Sequence, residues 1–289
     1  MTSDPPPLGQ GPLAIICGGG TLPFVVAEAA RRRSRPVLLF AIRHWADAER
    51  VAAYPHHWVA LGQFGRFCRI ARRESCRDVV MIGALIRPAI WQIRPDLATL
   101  RLLPRVLAML RGGDNHLLTG IAAVFEEYGF RLIGAHEVAP EILMPEGYLG
   151  TQRPANGDQR DIAKGLALLA TLSPHDVGQA VVVARGRVLA LEAAEGTDAM
   201  LRRVAEMRTS GRVPAGRGVL VKAAKLGQDR RMDLPSIGPL TVEGAARAGL
   251  AGIAVVAGSV VIAEPERLIA AAEREGLFVV GARDLADGR

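Results

Sequence analysis

The sequence predicts an α/β protein of two domains, a doubly wound parallel sheet followed by a second, mixed α/β domain. Two observations carry this. Short apolar runs bounded by Gly, Pro and polar residues alternate with stretches of helical periodicity along the whole chain. Near the middle, the stretch from Ala139 to Asp158 holds Pro140, Pro145, Gly147, Gly150, Pro154 and Gly157 and interrupts the alternation. With 289 residues, 49% of them hydrophobic, the chain has enough apolar surface for two cores. The expected division is a flexible tail over 1–11, a first domain over 12–139, a linker over 140–158 and a second domain over 159–289.

Leu13 to Cys17 reads as a buried strand, Pro23 to Arg33 as a helix and Val37 to Ile42 as a strand. A short strand over Val59 to Leu61, a helix over Gln63 to Glu74 and a strand over Asp78 to Ile82 follow. Helices near Leu100 to Arg111 and Asn115 to Tyr128 precede the strand Arg131 to Ile133. The second half opens with a helix from Gln159 to Leu172. Strands Ala180 to Ala184 and Val188 to Leu191 then flank Arg185-Gly186-Arg187, a hairpin-like turn. A helix from Asp198 to Thr209 leads to the strand Gly218 to Val221, and a helix from Val242 to Ala248 follows a long polar segment. The charge-free stretch from Ala248 to Ala263 is too short to span a bilayer. It reads as two strands joined at Gly258-Ser259, before a helix over Pro265 to Glu275 and a last strand over Phe278 to Val280.

A net charge of +7 permits an anionic membrane surface or an acidic substrate. Nucleic acid is not expected, because aromatics make up only 4% of the chain and the arginines are scattered rather than striped. Cys17, Cys68 and Cys76 fit no zinc spacing and read as reduced core thiols of a cytosolic protein. Residues 1–11 lack the basic start and apolar run of a signal peptide.

The polar segment from Lys222 to Thr241 concentrates the chemistry. Lysine occurs three times in the chain, among 36 basic residues, and two of the three are Lys222 and Lys225. Retaining lysine in so arginine-rich a chain points to a compact ammonium. With Gln228, Asp229, Arg231 and Asp233 it makes a set suited to a phosphate and a hard metal ion held together. The Gly18-Gly19-Gly20-Thr21-Leu22 loop between the first strand and helix admits two readings, a phosphate or ribose contact and a tight strand-to-helix turn. It is not the dinucleotide fingerprint, since Pro23 stands where the third glycine belongs and no acid ends the second strand. Gly83 to Pro88, including Arg87, follows a strand end where ligands of open sheets collect. Asp114 is a plausible helix cap, and Glu195, Thr197 and Asp198 either cap the next helix or face a site. Composition and spacing thus give a two-domain α/β protein with a phosphate and metal site, compatible with a hydrolase, a nucleotide-dependent oxidoreductase or a non-catalytic nucleotide-sugar binder.

The pattern Lys222-x-x-Lys225-x-Gly-Gln228-Asp229-x-Arg231-x-Asp233-Leu-Pro235-x-Ile-Gly238-x-x-Thr241 resembles the signature of the LpxI-type UDP-2,3-diacylglucosamine pyrophosphatases. So do Gly-Gly-Gly-Thr-Leu-Pro from Gly18, Gly83 to Pro88, Gly113-Asp114-Asn-x-Leu-Leu118, Glu195-Gly-Thr-Asp198 with Arg202, and Ala248 to Gly258. One departure is Leu226, where the family pattern has Pro. The resemblance implies a Rossmann-like N-terminal domain, a catalytic C-terminal domain and a substrate site between them. It implies Mg²⁺-dependent hydrolysis of UDP-2,3-diacylglucosamine to UMP and 2,3-diacylglucosamine 1-phosphate (lipid X), a step of lipid A synthesis. The enzyme would be cytoplasmic, with peripheral contact at the inner membrane. On this resemblance Lys222, Lys225 and Arg231 supply positive charge, Asp229 or Asp233 holds the metal or acts as base, and Gln228 and Thr241 bind phosphate or sugar oxygens. Gly19, Gly20, Thr21, Leu22, Gly83 and Arg87 take the uridine end, and Asp114, Glu195, Thr197 and Asp198 join the substrate contacts.

Overall fold

The structure, a computed structural model, describes residues 9, 11–85, 93–110, 114–175, 177–213, 217–225 and 229–283, with side chains omitted at 108–110 and 114–117. It divides into two compact units, Met1–Pro140 with Asp229–Asp233, and Glu141–Gln228 with Leu234–Arg289. The turn carrying both candidate metal-binding aspartates therefore folds with the first unit, although it lies in the second half of the sequence.

The first unit runs β1 (Leu13–Cys17), α1 (Leu22–Arg32), β2 (Val37–Ile42), α2 (Ala48–Val51), β3 (His56–Val59), α3 (Phe64–Arg73), β4 (Asp78–Ile82), α4 (Leu97–Leu110), α5 (Asp114–Glu127), β5 (Arg131–Leu132) and α6 (Ala135–Val138). Its strands form one parallel sheet in the order β3-β2-β1-β4-β5. The chain winds outward from β1 to β3, then returns to place β4 on the other side of β1. β1 and β2 are near-continuous apolar runs because helices cover both faces of a parallel sheet. On one face Ala14, Leu38, Phe40 and Val79 pack with Phe67 and Ala71 of α3 and Phe125 of α5. The Phe40 and Phe67 rings meet edge-on at 4.6 Å. At the opposite end of β4 from its glycine loop, buried Asp78 is clasped by Arg35 and, at 2.7 Å, by Arg131. Burial alone would raise the Asp78 pKa, but hydrogen bonds from Arg131 and Arg35 outweigh it and hold the carboxyl below its ordinary range. Gly9 donates to Asp78 at 3.0 Å and Gly11 accepts from Arg35 at 3.1 Å, so these two residues of the expected tail are tied to the domain.

The second unit holds β6 (Gly147–Leu149), α7 (Asn156–Leu172), β7 (Ala180–Ala184), β8 (Arg187–Leu191), α8 (Thr197–Thr209), β9 (Val219–Lys222), β10 (Ser236–Ile237), α9 (Pro239–Arg247), β11 (Gly252–Val256), β12 (Val261–Ile262), α10 (Pro265–Glu275) and β13 (Phe278–Ala282). Its main sheet has the order β6-β13-β11-β9-β7-β8, parallel through β13-β11-β9 and antiparallel at both edges. Cores on its two faces include Leu220, Ile253 and Leu268 on one and Val181, Val221 and Phe278 on the other. Arg185 and Gly186 both take positive φ, which gives the β7–β8 hairpin its tight turn.

One expectation is corrected here. The stretch expected as a linker supplies β6, which pairs with β13 at Leu149–Val279 and closes one edge of the main sheet. The Gly252 to Ile262 region is two strands linked through Gly258-Ser259, as expected, and the second, β12, pairs in parallel with β10, a strand the polar segment gave no sign of. Two-residue strands carry too little periodicity to be seen in sequence.

Candidate functional site

At the head of the first sheet, winding reverses between β1 and β4, where open α/β sheets leave a ligand crevice. Both strands end there in glycine. Gly83 has φ +111°, and a Cβ on it would lie 2.7 Å from the Gly18 backbone; one on Gly18 would lie 2.8 Å from Gly83. The loops touch main chain to main chain, an approach only glycine permits. Gly18 donates to Ile82 O at 2.9 Å, and Gly19 and Ala84 exchange two hydrogen bonds of 2.9 Å. The Gly18 and Gly19 amides are thus spent on holding β1 and β4 together, and the tight-turn reading describes that part of the loop. The Gly20 and Thr21 amides make no backbone hydrogen bond among the described residues, and the Thr21 side chain does not cap α1. Gly20, Thr21 and Leu22 at the N-terminus of α1 are the part of the loop left for an anion. Arg87 lies outside the described residues, as does the Asp114 side chain; Asp114 is the first residue of α5.

The Asp229–Asp233 turn is built on Asp229, whose carbonyl accepts from Met232 N at 3.0 Å and Asp233 N at 3.2 Å. Met232 packs against the first-unit core. Arg231 grips Asp229 by both carboxylate oxygens, with Nε 3.0 Å from Oδ1 and Nη2 2.8 Å from Oδ2. Its Nη1 reaches Glu126 Oε1 of α5 at 2.8 Å. These hydrogen bonds hold the Asp229 carboxyl below its ordinary pKa and push the Arg231 guanidinium up. Arg231 is thus a clamp that fixes Asp229 to α5, a role its sequence position did not suggest. Glu126 was not foreseen at all; it is one acid among several on an ordinary helix. Close by, burial and the charge of Arg230 both lower the His136 pKa.

In the second unit, buried Lys222 ends β9 at the carboxyl edge of the parallel strands. Its Nζ donates to Thr197 Oγ1 at 3.0 Å and to Ser236 O at 3.1 Å. Thr197 donates onward to Glu192 Oε1 at 2.8 Å, and Gln179 N donates to Glu192 Oε2 at 2.9 Å. A buried ammonium and a buried carboxylate are joined through one hydroxyl, which satisfies both charges away from water. Thr197 is the first helical residue of α8 and not its cap, since Gly196 occupies the cap position. Glu192 also escaped the sequence reading, although it is the single acid directly after an apolar strand. Glu195 pairs with Arg203 at 2.9 Å on the surface, and Asp198 is exposed in the first turn of α8. The Thr241 hydroxyl accepts from Gly238 N at 3.2 Å and caps α9 locally. Lys225 is half-buried in the loop after β9, and Gln228 lies outside the described residues.

Among the described residues no group of three or more His, Cys, Asp and Glu converges as a metal cage. Mg²⁺ does not need one: one or two carboxylates completed by phosphate oxygens and water are its usual set. Asp229, held ionised, and Asp233 four residues on fit that donor chemistry.

The LpxI N-terminal domain model matches residues 12–142 and the LpxI C-terminal domain model residues 145–280. The UDP-2,3-diacylglucosamine pyrophosphatase LpxI of Caulobacter vibrioides is 42% identical over 271 residues, covering 93% of this chain and 96% of its own. Among solved structures, the Thermus thermophilus UDP-glucose 4-epimerase complex with NAD is similar at 14% identity and a TM-score of 0.30, covering 94% of this chain and 86% of its own. At that score it carries no argument. Matched along nearly its whole length by both halves of one family and by a relative of this identity, the chain belongs to the LpxI family.

Proposed function

We propose that this chain is a hydrolase that cleaves the diphosphate of UDP-2,3-diacylglucosamine to UMP and lipid X, in lipid A synthesis. The observation that carries it is the 42% identity, across 93% of the chain, to a relative bearing that activity in its name. The motifs of the first and second units and their order support the same reading.

A diphosphate diester is anionic, so catalysis means offsetting its charge and positioning one water in line with the bond that breaks. In this reading the crevice between β1 and β4 is a Rossmann-like nucleotide site. Gly20, Thr21 and Leu22 offer amides at the head of α1, Gly83 keeps the crevice open, and Arg87 adds charge. Asp229 and Asp233 would hold Mg²⁺, which supplies positive charge against the diphosphate oxygens. Arg231 keeps Asp229 ionised and aimed. From the second unit, Lys225 and Gln228 meet phosphate or sugar oxygens. Lys222, tied to Thr197 and Glu192, sets the end of β9, after which Lys225 follows. Water attacks one phosphorus, the P–O–P bridge opens, UMP leaves and lipid X is released. We place the work in the cytoplasm with peripheral contact at the inner membrane; no described helix is long and apolar enough to cross a membrane.

The test is UMP release from UDP-2,3-diacylglucosamine by the purified chain, with Mg²⁺ and with EDTA. Release that requires Mg²⁺ is expected. Release unaffected by EDTA would remove the metal from the mechanism, and no release by folded protein would remove the hydrolase.

A further inference from the structure

Helix α4 presents an apolar face to solvent. Leu97 is 74% exposed, Leu107 51%, Leu100 47% and Leu103 43%, and Ile93 just before the helix 41%. Spacings of three and four residues put these leucines on one stripe of the helix, while Ala98, Thr99, Leu102 and Val106 are less exposed. Scattered exposed leucines need no explanation; four on one stripe do.

The stripe is held on a firm base. Arg94 N donates to Leu61 O at 2.8 Å, Asp96 N to Gly62 O at 3.0 Å, and Phe64 N to Thr99 Oγ1 at 3.2 Å. Arginines border it: Arg66, Arg94 and Arg101 are exposed. Of the nearby carboxylates, Glu127 is paired with Arg105 at 2.5 Å, while Asp96 accepts from the amides of Arg66 and Thr99 and sets one negative charge against the three arginines. The patch is therefore apolar with a positive rim, on a chain of net charge +7. A second copy docked face to face would bring these arginines against their own mates. An anionic bilayer takes the leucines among its acyl chains and the arginines among its headgroups.

We propose that α4 is the element by which this protein lies on an anionic lipid surface, with Leu97, Leu100 and Leu107 inserted. The inference deepens the membrane contact proposed above and uses that reading only to choose lipid as the partner. The probe is sedimentation with vesicles of equal parts phosphatidylglycerol and phosphatidylcholine, and with phosphatidylcholine alone. The intact chain is compared with the triple variant Leu97→Ser, Leu100→Ser, Leu107→Ser and with Arg94→Gln, Arg101→Gln. The intact chain is expected to bind the anionic vesicles, and the triple serine variant to bind at least about tenfold more weakly. The arginine variant and rising salt should each weaken binding. Melting temperatures check that the variants fold, and UMP release from detergent-dispersed substrate is expected to be retained in both, so failure to dock and failure of the hydrolase reading are seen separately. Equal binding by the serine variant, or no binding by the intact chain, would overturn the proposal. So would a dimer in the intact chain that the serine variant lacks, which would give the face to a second copy.

Discussion

At the residue scale, the best-defined arrangements are two charge pairs whose chemistry can be separated. Asp229 and Arg231 share a bidentate contact with Glu126 behind it. We expect Asp229→Ala to keep the fold and to lower UMP release by about a hundredfold or more, as for loss of a group that organises charge at a phosphoryl centre. Asp233→Ala is the companion variant, and full activity in both would exclude this turn from catalysis. In the Lys222–Thr197–Glu192 chain the two charges communicate through a hydroxyl. Lys222→Met and Glu192→Gln should each destabilise, and together by less than their sum, with a coupling of about 0.5–3 kcal/mol. Additive melting data would mean that the two charges are satisfied separately. Asp78 gives the pH dependence. Its folded pKa is depressed by Arg131 and Arg35, so the stabilisation is present above the ordinary carboxylate value of about 4 and is lost as pH falls through the folded value. Asp78→Asn should therefore melt lower than the intact chain at neutral pH, and the gap should close in acid.

At the element scale, the crevice depends on two strand ends that touch through glycine. Gly83→Ala must adopt φ +111° and meet the Gly18 backbone, so it should cost about 1–3 kcal/mol. It should also weaken uridine nucleotide binding, read by calorimetry; unchanged stability and affinity would show that the loops part easily. The same crevice shows what sequence could disclose. Long apolar strands such as Val37–Ile42 and Gly252–Val256 were legible to the residue, because burial on both faces leaves a continuous apolar run. The Gly18 loop was legible as a turn, but its division into spent and free amides depends on β4, sixty-odd residues away. Strand β6 was hidden because an edge strand of three residues in a Pro- and Gly-rich stretch has no pattern of its own. The polar segment announced its chemistry by composition. That Arg231 clamps Asp229 while Lys222 is buried against Thr197 follows from tertiary partners, Glu126 and Glu192, which no spacing links to it.

At the scale of the whole molecule, each unit has its own core, and the tryptophans at 45, 58 and 91 all precede Pro140. Tryptophan fluorescence therefore reports the first unit, while circular dichroism reports both. Ile253→Ala, a cavity in the second core, should cost about 2–5 kcal/mol there. It should lower part of the dichroism transition and leave the fluorescence transition in place. A common shift of both probes would mean that the cores melt together. The family models divide this chain at 142–145, whereas the compact units do not, because Asp229–Asp233 returns to the first. On the ribosome, the first unit consequently stays unfinished until most of the second has been translated. A nascent chain can close its first sheet early, yet it receives the Asp229–Asp233 turn only after more than half of the second unit has been made.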